Sequence, residues 1–288
     1  MPRQVLPAGS ELDLRAEWEA NAPDFIAWTR APMHDSYWQF HRDQFLEMVP
    51  APGHLTLDIA CGEGRLARDL TRLGHHVSGV DASPTMIAAA RQASPEIDFR
   101  IADAAALPFS DRSADLAIAF MSLQDIDDLE GALAEVGRTL TVGGRLVMAI
   151  VHPLNSAGLF DRPEADSPFT IRGSYLEESR YVDDLERDGL RMRFASTHRP
   201  LQTYVEAIVR AGMLVERFRE PPVPEAAIRF ERTRRYQRIP LFLHLRARRL
   251  NPRSRPGGRL RVMTLSLGAT SPGAMRCSRP IGRSSRHA

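Results

Sequence analysis

The chain has 288 residues, of which 43% are hydrophobic and 26% are charged, a composition typical of a globular protein with one large domain or two small ones. Only two cysteines occur, far apart in the sequence, which argues against a disulfide framework. Nowhere do 18 apolar residues run together, as a membrane-spanning helix requires. We therefore expect a soluble protein of the cytoplasm.

The net charge of +2 conceals two segments of opposite charge. Residues 251–288 contain eight arginines and no acid, so this segment carries +8 and residues 1–250 carry −6. The basic segment is rich in proline, glycine and serine and has no periodicity, which predicts a disordered tail. Because the body is acidic, we expect neither a nucleic acid nor a membrane as partner.

Residues 1–53 form the first predicted region. Between residues 11 and 48 the pattern is mostly helical, and its apolar positions include all three tryptophans of the chain. Such a segment either packs against the domain or forms an aromatic lid over a pocket. Packing is the simpler interpretation, and we assign the segment as a cap on the site.

Residues 54–250 are predicted to form the main domain, because short apolar runs alternate with helical patterns. The predicted strands are Leu55–Ala60, His76–Val80, Ile97–Ala102, Ala114–Phe120 and Arg145–Val151, and the helices between them are Gly64–Leu73, Ser83 to about Ala93, and Leu129–Leu140. Continuous apolar strands joined by crossover helices indicate an α/β fold. We expect a doubly wound, mostly parallel sheet with helices on both faces.

The alternation stops after His152-Pro153, and residues 153–198 are predicted to be an insertion with one possible strand, Leu190–Ala195. A long connection that follows a central strand lies beside the ligand crevice of such a sheet. After it, a helix at Leu201–Ala211 precedes the strands Met213–Phe218 and Ile239–Arg246. The short connection between these two strands predicts an antiparallel pair at the sheet edge.

The stretch LTLDIACGEGRLA at 55–67 predicts a strand, a tight turn and a helix N-terminus. Gly62 and Gly64 allow a ligand to approach the backbone closely. Asp58 would repel a pyrophosphate but suits a cationic amino group. At the next two strand ends, Asp81 is placed to accept both hydroxyls of a ribose, and Asp103 can accept from an adenine amine.

Together these motifs resemble class I S-adenosylmethionine-dependent methyltransferases of the type 11, small-molecule methylase kind. The matching segments are LDIACGEG, GVDAS, ADAAALPF and FMSLQDIDD within residues 55–152, with weaker likeness over 198–249. The resemblance implies a seven-stranded sheet in the order 3-2-1-4-5-7-6 with a reversed last strand, and S-adenosylmethionine as cofactor. It also implies cofactor-binding residues at the strand ends: Asp58, Ala60, Gly62, Gly64, Asp81, Ala82, Asp103, Ala104, Phe120 and Met121. Ala60 stands where the family usually has glycine.

The function implied is methyl transfer by in-line displacement to a small-molecule acceptor. Such a displacement needs no nucleophile from the protein, although some acceptors need a general base. The candidates for such a base are His152, His198 and Tyr175. No metal site is assigned. An NAD(P)-dependent oxidoreductase with the same glycine-rich turn and a non-catalytic cofactor-binding protein stay open as alternatives. A nucleic-acid methylase is disfavoured, because the segment after the fourth strand reads FMSL rather than N/D-P-P-Y/F.

Overall fold

The computed structural model describes residues 3–6, 12–229 and 231–251, which belong to the first of two units, Met1–Ser254. The basic tail predicted for 251–288 lies outside the described residues, apart from Asn251. The strands are β1 (Gln4–Val5), β2 (Thr56–Ile59), β3 (Val77–Asp81), β4 (Asp98–Ile101), β5 (Ala114–Phe120), β6 (Leu140–Val151), β7 (Gly158–Phe160), β8 (Phe169–Ile171), β9 (Ser179–Arg187), β10 (Leu190–His198), β11 (Met213–Arg219) and β12 (Phe242–Arg249). The α-helices are α1 (Leu14–Ala20), α2 (Ala22–Arg30), α3 (Arg42–Leu46), α4 (Arg65–Arg72), α5 (Pro84–Ala93), α6 (Leu129–Thr139), α7 (Pro153–Ala157) and α8 (Leu201–Arg210).

The main sheet contains seven strands in the order β11-β12-β6-β5-β2-β3-β4. The pairs from β6 through β5, β2 and β3 to β4 are all parallel, whereas β12 runs antiparallel to both β6 and β11. When these strands are numbered along the chain, this is the order 3-2-1-4-5-7-6 with a reversed last strand. The predicted fold class is therefore confirmed.

Both faces of this sheet are covered. Along β6, Leu146, Met148 and Ile150 pack into one core, which includes residues of α6 and α8, while Val147 and Ala149 pack into a second core with residues of α4 and α5. Strands buried on both faces need apolar residues at successive positions rather than at every second one. This requirement explains the continuous apolar runs in the sequence.

Two strands of the main sheet, β6 and β12, differ from their predicted bounds by more than one residue at an end. β6 begins at Leu140, five residues before the expected start, because Leu140 already pairs with Ala114 of β5 ahead of a register shift. β12 runs from Phe242 to Arg249 instead of 239 to 246, because the end of β6 sets its register through the pair Val151 and Phe242.

Residues 153–198 hold more structure than the single predicted strand. β9 and β10 pair antiparallel over their whole length, β1 adds to the other side of β9, and β7 and β8 form a separate small hairpin. Only a few positions of β9 and β10 are fully buried, among them Tyr181, Val182 and Ala195. The polar positions between them made the segment look like a loop in the sequence.

The N-terminal helices contact both sheets. Leu14 of α1 packs with Val182 and Ala195, and the Nε1 of Trp18 donates to the carbonyl of Ala195 at 3.0 Å. Farther along the chain, Phe45 of α3 packs in the second core of the main sheet. The aromatic side chains of this region are thereby carried to the carboxyl ends of the parallel strands.

Candidate functional site

The turn between β2 and α4 is built from residues in the left-handed backbone region. Ala60, Gly62 and Gly64 have φ values of 51°, 55° and 81°. Glycine adopts this conformation freely, whereas alanine costs about 1–2 kcal/mol. A Cβ atom at Gly64 would also lie 2.7 Å from the ring of Phe99. The turn is therefore tight, and one non-glycine residue in it is strained.

A cavity of about 870 Å³ opens at the carboxyl ends of β2, β3, β4 and β5. Its wall contains every residue of the predicted cofactor set except Gly64. Gly64 directly precedes α4, and its α-carbon faces Phe99. Residues that are far apart in the sequence therefore lie around one space. The residues of the set on its wall are Asp58, Ala60, Gly62, Asp81, Ala82, Asp103, Ala104, Phe120 and Met121.

Asp58 is a buried acid on β2. It is 2% exposed, and its Oδ2 has no hydrogen-bond partner among the described residues. Burial and, secondly, the charge of Asp81 raise the pKa of Asp58 to about 8, while a hydrogen bond with the Ala67 backbone acts in the opposite direction. A buried oxygen without a partner on a cavity wall is suited to binding a cationic ligand group.

Asp81 lies at the end of β3 and ties the turn to the next helix. Its Oδ2 accepts from the backbone N–H of Gly62 at 2.8 Å, and its Oδ1 accepts from that of Ser83 at 2.9 Å. Burial raises its pKa, and these hydrogen bonds oppose that effect. Each carboxylate oxygen keeps a second lone pair with which to accept from a ligand hydroxyl.

The ends of β4 and β5 complete this side of the cavity. After β4, the Oδ1 of Asp103 accepts from the N–H of Ala105 at 2.8 Å, and Ala104 is buried. At the end of β5, the ring of Phe120 packs edge-on against Phe45 at 4.8 Å. This edge therefore offers one accessible acid next to a buried apolar surface.

Four aromatic rings form a wall of the same cavity. Trp18 contacts Phe25 at 5.3 Å and Phe194 at 6.2 Å between ring centroids, and Trp28 contacts Phe194 at 6.1 Å, all edge to face. A Cβ atom at Gly62 would lie 3.4 Å from Phe25, so this ring stands against the glycine turn. Helices α1 and α2 and strand β10 thus supply an apolar, aromatic wall of the cavity.

A second buried acid lies just beyond the end of β5. Asp125 lines the cavity, its Oδ1 accepts from the Oγ of Ser196 at 2.6 Å, and its Oδ2 accepts from the Nε2 of Gln124 at 2.9 Å. Burial raises its pKa to about 8, against these hydrogen bonds and the charge of Arg199. Tyr181 lies opposite Ser196 in the β9–β10 ladder, and its buried hydroxyl has no hydrogen-bond partner in the described residues.

Sequence reasoning missed this cluster. It assigned only Phe120 and Met121 of the segment FMSLQDIDD to the site, although the acids later in that segment were an available signal. Ser196 and Tyr181 come from strands of the insertion, and the β9–β10 pairing was not predicted. Nothing in the sequence placed them beside Asp125.

A buried histidine pair was also missed. The Nε2 atoms of His41 and His244 are 2.8 Å apart, and the His41 ring stacks on Phe242 at 3.8 Å between centroids. Burial lowers the pKa of His41 well below its usual value and that of His244 to about 3, so both rings are neutral at pH 7. One ring must then donate to the other, and His41 also lines the cavity.

The three predicted base candidates do not line the cavity. His152 caps the N-terminus of α7, where its Nδ1 accepts from the N–H of Leu154 at 3.0 Å. Its Nε2 is 2.9 Å from a carboxylate oxygen of Glu220. Both ring nitrogens of His198 are also within hydrogen-bond distance of polar partners, the Oγ of Ser156 at 2.6 Å and the carbonyl of Tyr175 at 3.0 Å. These side chains make contacts that stabilise the fold around the insertion.

Neither a metal-binding group nor a membrane helix occurs in the part of the chain that the structure describes. Over residues 3–6, 12–229 and 231–251, no cluster of three or more His, Cys, Asp or Glu side chains could hold a metal ion. No helix within the same ranges is both long and apolar enough to cross a bilayer.

Known proteins share this fold and parts of this sequence. Residues 57–148 match a family model described as "Methyltransferase domain". The chain is 37% identical over 103 residues to demethylmenaquinone methyltransferase of Renibacterium salmoninarum. This alignment covers 35% of this chain and 44% of that protein. It is 32% identical over 154 residues to O-methyltransferase cnsE of Penicillium expansum, covering 50% and 53% of the two chains. The chain thus spans about half the length of the curated relatives it matches.

A solved structure extends the likeness over most of the described residues. It is that of an S-adenosylmethionine dependent methyltransferase from Mesorhizobium loti, with a TM-score of 0.61 and 27% identity. The match covers 75% of this chain and 98% of that one. The family resemblance seen in the glycine-rich turn therefore holds for the whole sheet.

Proposed function

We propose that this chain, which carries a methyltransferase domain of the class I S-adenosylmethionine-dependent type, is an enzyme that methylates a small molecule with S-adenosylmethionine as donor. The observation that carries the proposal is the buried Oδ2 of Asp58, which lacks a partner within the described residues and lies on a cavity wall beside the glycine turn.

The residues at the strand ends suit the parts of this donor. Asp58 offers a carboxylate to the ammonium of the methionine moiety, and Gly62 gives that moiety close access to the backbone. Asp81 has free lone pairs for the two ribose hydroxyls, and Asp103 with the apolar Ala104 suits an adenine amine and ring. A dinucleotide fits less well, because its pyrophosphate would lie near the carboxylate of Asp58.

When bound, S-adenosylmethionine supplies a methyl group on a positively charged sulfur; a lone pair of the acceptor attacks the methyl carbon in line, and the sulfur leaves as a neutral thioether. The protein contributes alignment and exclusion of water, and alignment alone can lower such a barrier by about 7–11 kcal/mol. The turn at Gly62 and the ring of Phe25, which stands against it, hold the two reactants in one enclosed space. No covalent intermediate with the protein is required.

The acceptor in this proposal is a small, flat and largely apolar molecule of the cytoplasm. The cavity is large enough for donor and acceptor together, and the rings of Trp18, Phe25, Trp28 and Phe194 provide stacking surfaces. In this assignment the N-terminal region 1–53 caps the cavity and the insertion 153–198 closes its side. One curated relative is named for methylation of demethylmenaquinone and another for O-methylation, and the first of these names supports an acceptor of this kind.

Calorimetric titration with S-adenosylhomocysteine and with NAD tests the cofactor. We expect micromolar or tighter binding of the sulfur nucleoside, and at least tenfold weaker binding in D58N and in D81N. The control D166N changes an exposed acid outside the cavity and should bind normally. Tight NAD binding with no response to S-adenosylhomocysteine would instead support an oxidoreductase.

Transfer of label from methyl-tritiated S-adenosylmethionine to a fractionated metabolite extract tests the activity. We expect one labelled small-molecule fraction that D81N fails to produce. Cofactor binding without transfer to any fraction would contradict an enzymatic role and favour a non-catalytic cofactor-binding protein. The mass of the labelled product would identify the acceptor.

A further inference from the structure

Asp125 is a cavity carboxyl group that the cofactor assignment leaves without a role. It ends the 3-10 turn Leu123–Asp125, which directly follows the end of β5. Just before this turn, the Oγ of Ser122 donates to the carbonyl of Ile59 at 3.2 Å, next to the glycine turn. The segment that leads to Asp125 therefore contacts the end of β2, and Asp125 lines the same cavity as Asp58 from a different strand end.

The Asp125 carboxyl is held in a fixed orientation by two neighbours. Ser196 on β10 donates to one oxygen and Gln124 donates to the other, and all three side chains line the cavity. Nearby, the Oε1 of Gln124 and the hydroxyl of Tyr181 are buried without partners within the described ranges. Unsatisfied polar atoms of this kind indicate a ligand that hydrogen-bonds at this end of the cavity.

The cations around this carboxyl are already paired. Arg3 forms an ion pair with Asp183 at 2.7 Å, and Arg180 forms one with Asp127 at 2.6 Å. Arg199 donates to the carbonyls of residues 123 and 126 and lies 3.4 Å from Glu178. Because these three arginines are paired, none of them is free to offset the Asp125 carboxylate when it is ionised, and this disfavours an anionic reacting group.

We propose that Asp125 accepts the hydrogen of a neutral hydroxyl or amino group on a planar acceptor, an inference that rests on the proposed function. As the acceptor's lone pair forms its bond to the methyl carbon, the sulfur–carbon bond breaks and its electron pair stays on sulfur, giving a neutral thioether. The proton of the acceptor passes to the Asp125 carboxylate, which later returns it to water. Carboxylate acceptors, which would give methyl esters, are disfavoured by repulsion when Asp125 is ionised.

The surroundings of Asp125 favour this role as the pH approaches 8. Its pKa of about 8 reflects burial, opposed by the hydrogen bonds from Ser196 and Gln124 and by the positive charge of Arg199. The other titratable groups that face it are Tyr181 on β9 and Tyr204 on α8, whose own pKa values are raised by burial. A group with a pKa close to the working pH can both take up and release a proton during turnover.

A binding comparison tests the inference without knowledge of the natural acceptor. The probes are 2-naphthol and 2-naphthoate, which share a ring system and differ in the group presented to Asp125. Trp18 and Trp28 line the cavity, so quenching of tryptophan fluorescence in the S-adenosylhomocysteine complex reports binding. At pH 8.5, above the pKa of about 8 of Asp125, we expect the full-length protein to bind 2-naphthol at least tenfold more tightly than 2-naphthoate.

The variant D125N should reduce this preference to within threefold, because removing the negative charge weakens the bond to the hydroxyl and ends the repulsion of the carboxylate. D166N should keep the tenfold preference. Equal binding of the two probes by the unmodified protein, or an unchanged preference in D125N, would overturn the inference. Loss of S-adenosylhomocysteine binding by D125N would reveal that this variant does not fold. In that case the preference of the unmodified protein for 2-naphthol or 2-naphthoate still tests the inference.

Failure of the inference can be told apart from failure of the proposed function. If S-adenosylhomocysteine does not bind, the proposed function fails, and the two probes still report on Asp125 in the ligand-free protein. If a labelled product forms but alkali releases its methyl group as methanol, the product is an ester. That result would overturn the role of Asp125 but would not affect the proposal of methyl transfer. An alkali-stable methyl ether or methylamine as product would support the role of Asp125.

Discussion

Replacing the Asp58 carboxyl with an amide should stabilise the ligand-free protein while weakening cofactor binding. The native environment raises the pKa of Asp58 from 3.8 to about 8, so holding it in the fold at pH 7 costs about 4 kcal/mol at about 1.4 kcal/mol per pH unit. D58N removes that cost but buries an amide group with no partner, which costs about 1–3 kcal/mol. We expect a net gain of about 1–3 kcal/mol in the free energy of unfolding at pH 7.

The sign of the pH dependence follows from the raised pKa of Asp58. Its contribution to stability is fully present below pH 3.8, its unfolded-state pKa, and is lost as the pH rises through about 8. D58N lacks this dependence. The gap in stability between D58N and the native protein should therefore grow by about 1.4 kcal/mol per unit between pH 5 and pH 8.

Urea denaturation followed by circular dichroism at pH 5, 6, 7 and 8, without ligand, measures this gap. The matched control is D103N, the same substitution at a more exposed strand end, for which we expect a change of no more than about 0.5 kcal/mol at every pH. A gap for D58N that stays constant with pH would refute the assignment of a raised pKa to Asp58.

Further predictions concern the glycine turn and the histidine pair, and urea denaturation measures each. A60G should raise the free energy of unfolding by about 1 kcal/mol, because it removes the strain of a left-handed alanine. G64A should lower it by about 2–3 kcal/mol, because it adds such strain and brings a Cβ atom against Phe99. Equal effects of the two substitutions would contradict the backbone geometry. The neutral His41–His244 pair has depressed folded-state pKa values, so its contribution to stability is present above pH 6.5 and is lost as the pH falls. Relative to the double variant H41F/H244L, the native protein should lose about 2–4 kcal/mol between pH 7.5 and pH 5, and a difference independent of pH would show that the rings are not held neutral.

The sequence was sufficient for the parallel strands and for the acids at their ends. An apolar run that ends in Asp58 or Asp81 has few other structural interpretations, because strands buried on both faces cannot carry acids except near the ligand crevice. The strand order itself came from the family resemblance, since periodicity gives elements but not their lateral arrangement. The structure confirmed the strands and their order, and the roles of the acids stay predictions.

The remainder of the cavity was not predictable in the same way. Asp183 and Asp184 on β9 interrupt the apolar pattern, so the β9–β10 hairpin looked like an irregular connection. The contact between His41 and His244 joins residues 203 positions apart, and no local pattern reports such a pair. The cofactor side of the cavity follows from local motifs, whereas the acceptor side depends on contacts between the insertion, the N-terminal helices and the sheet.

The buried acid at the cofactor side also predicts what cofactor binding releases. With a pKa of about 8, Asp58 is mostly protonated at pH 7 in the free protein, and it must ionise to pair with the ammonium of S-adenosylhomocysteine. Binding at pH 7 should therefore release nearly one proton, which titrations in phosphate and in Tris reveal because these buffers differ in ionisation enthalpy. D58N has no proton to lose there and should show equal enthalpies in the two buffers, while D103N, which keeps Asp58, should retain the difference between the buffers. Equal enthalpies in the native protein would mean that Asp58 is already ionised or does not contact the ligand, and either result would remove the main support for the proposed cofactor orientation.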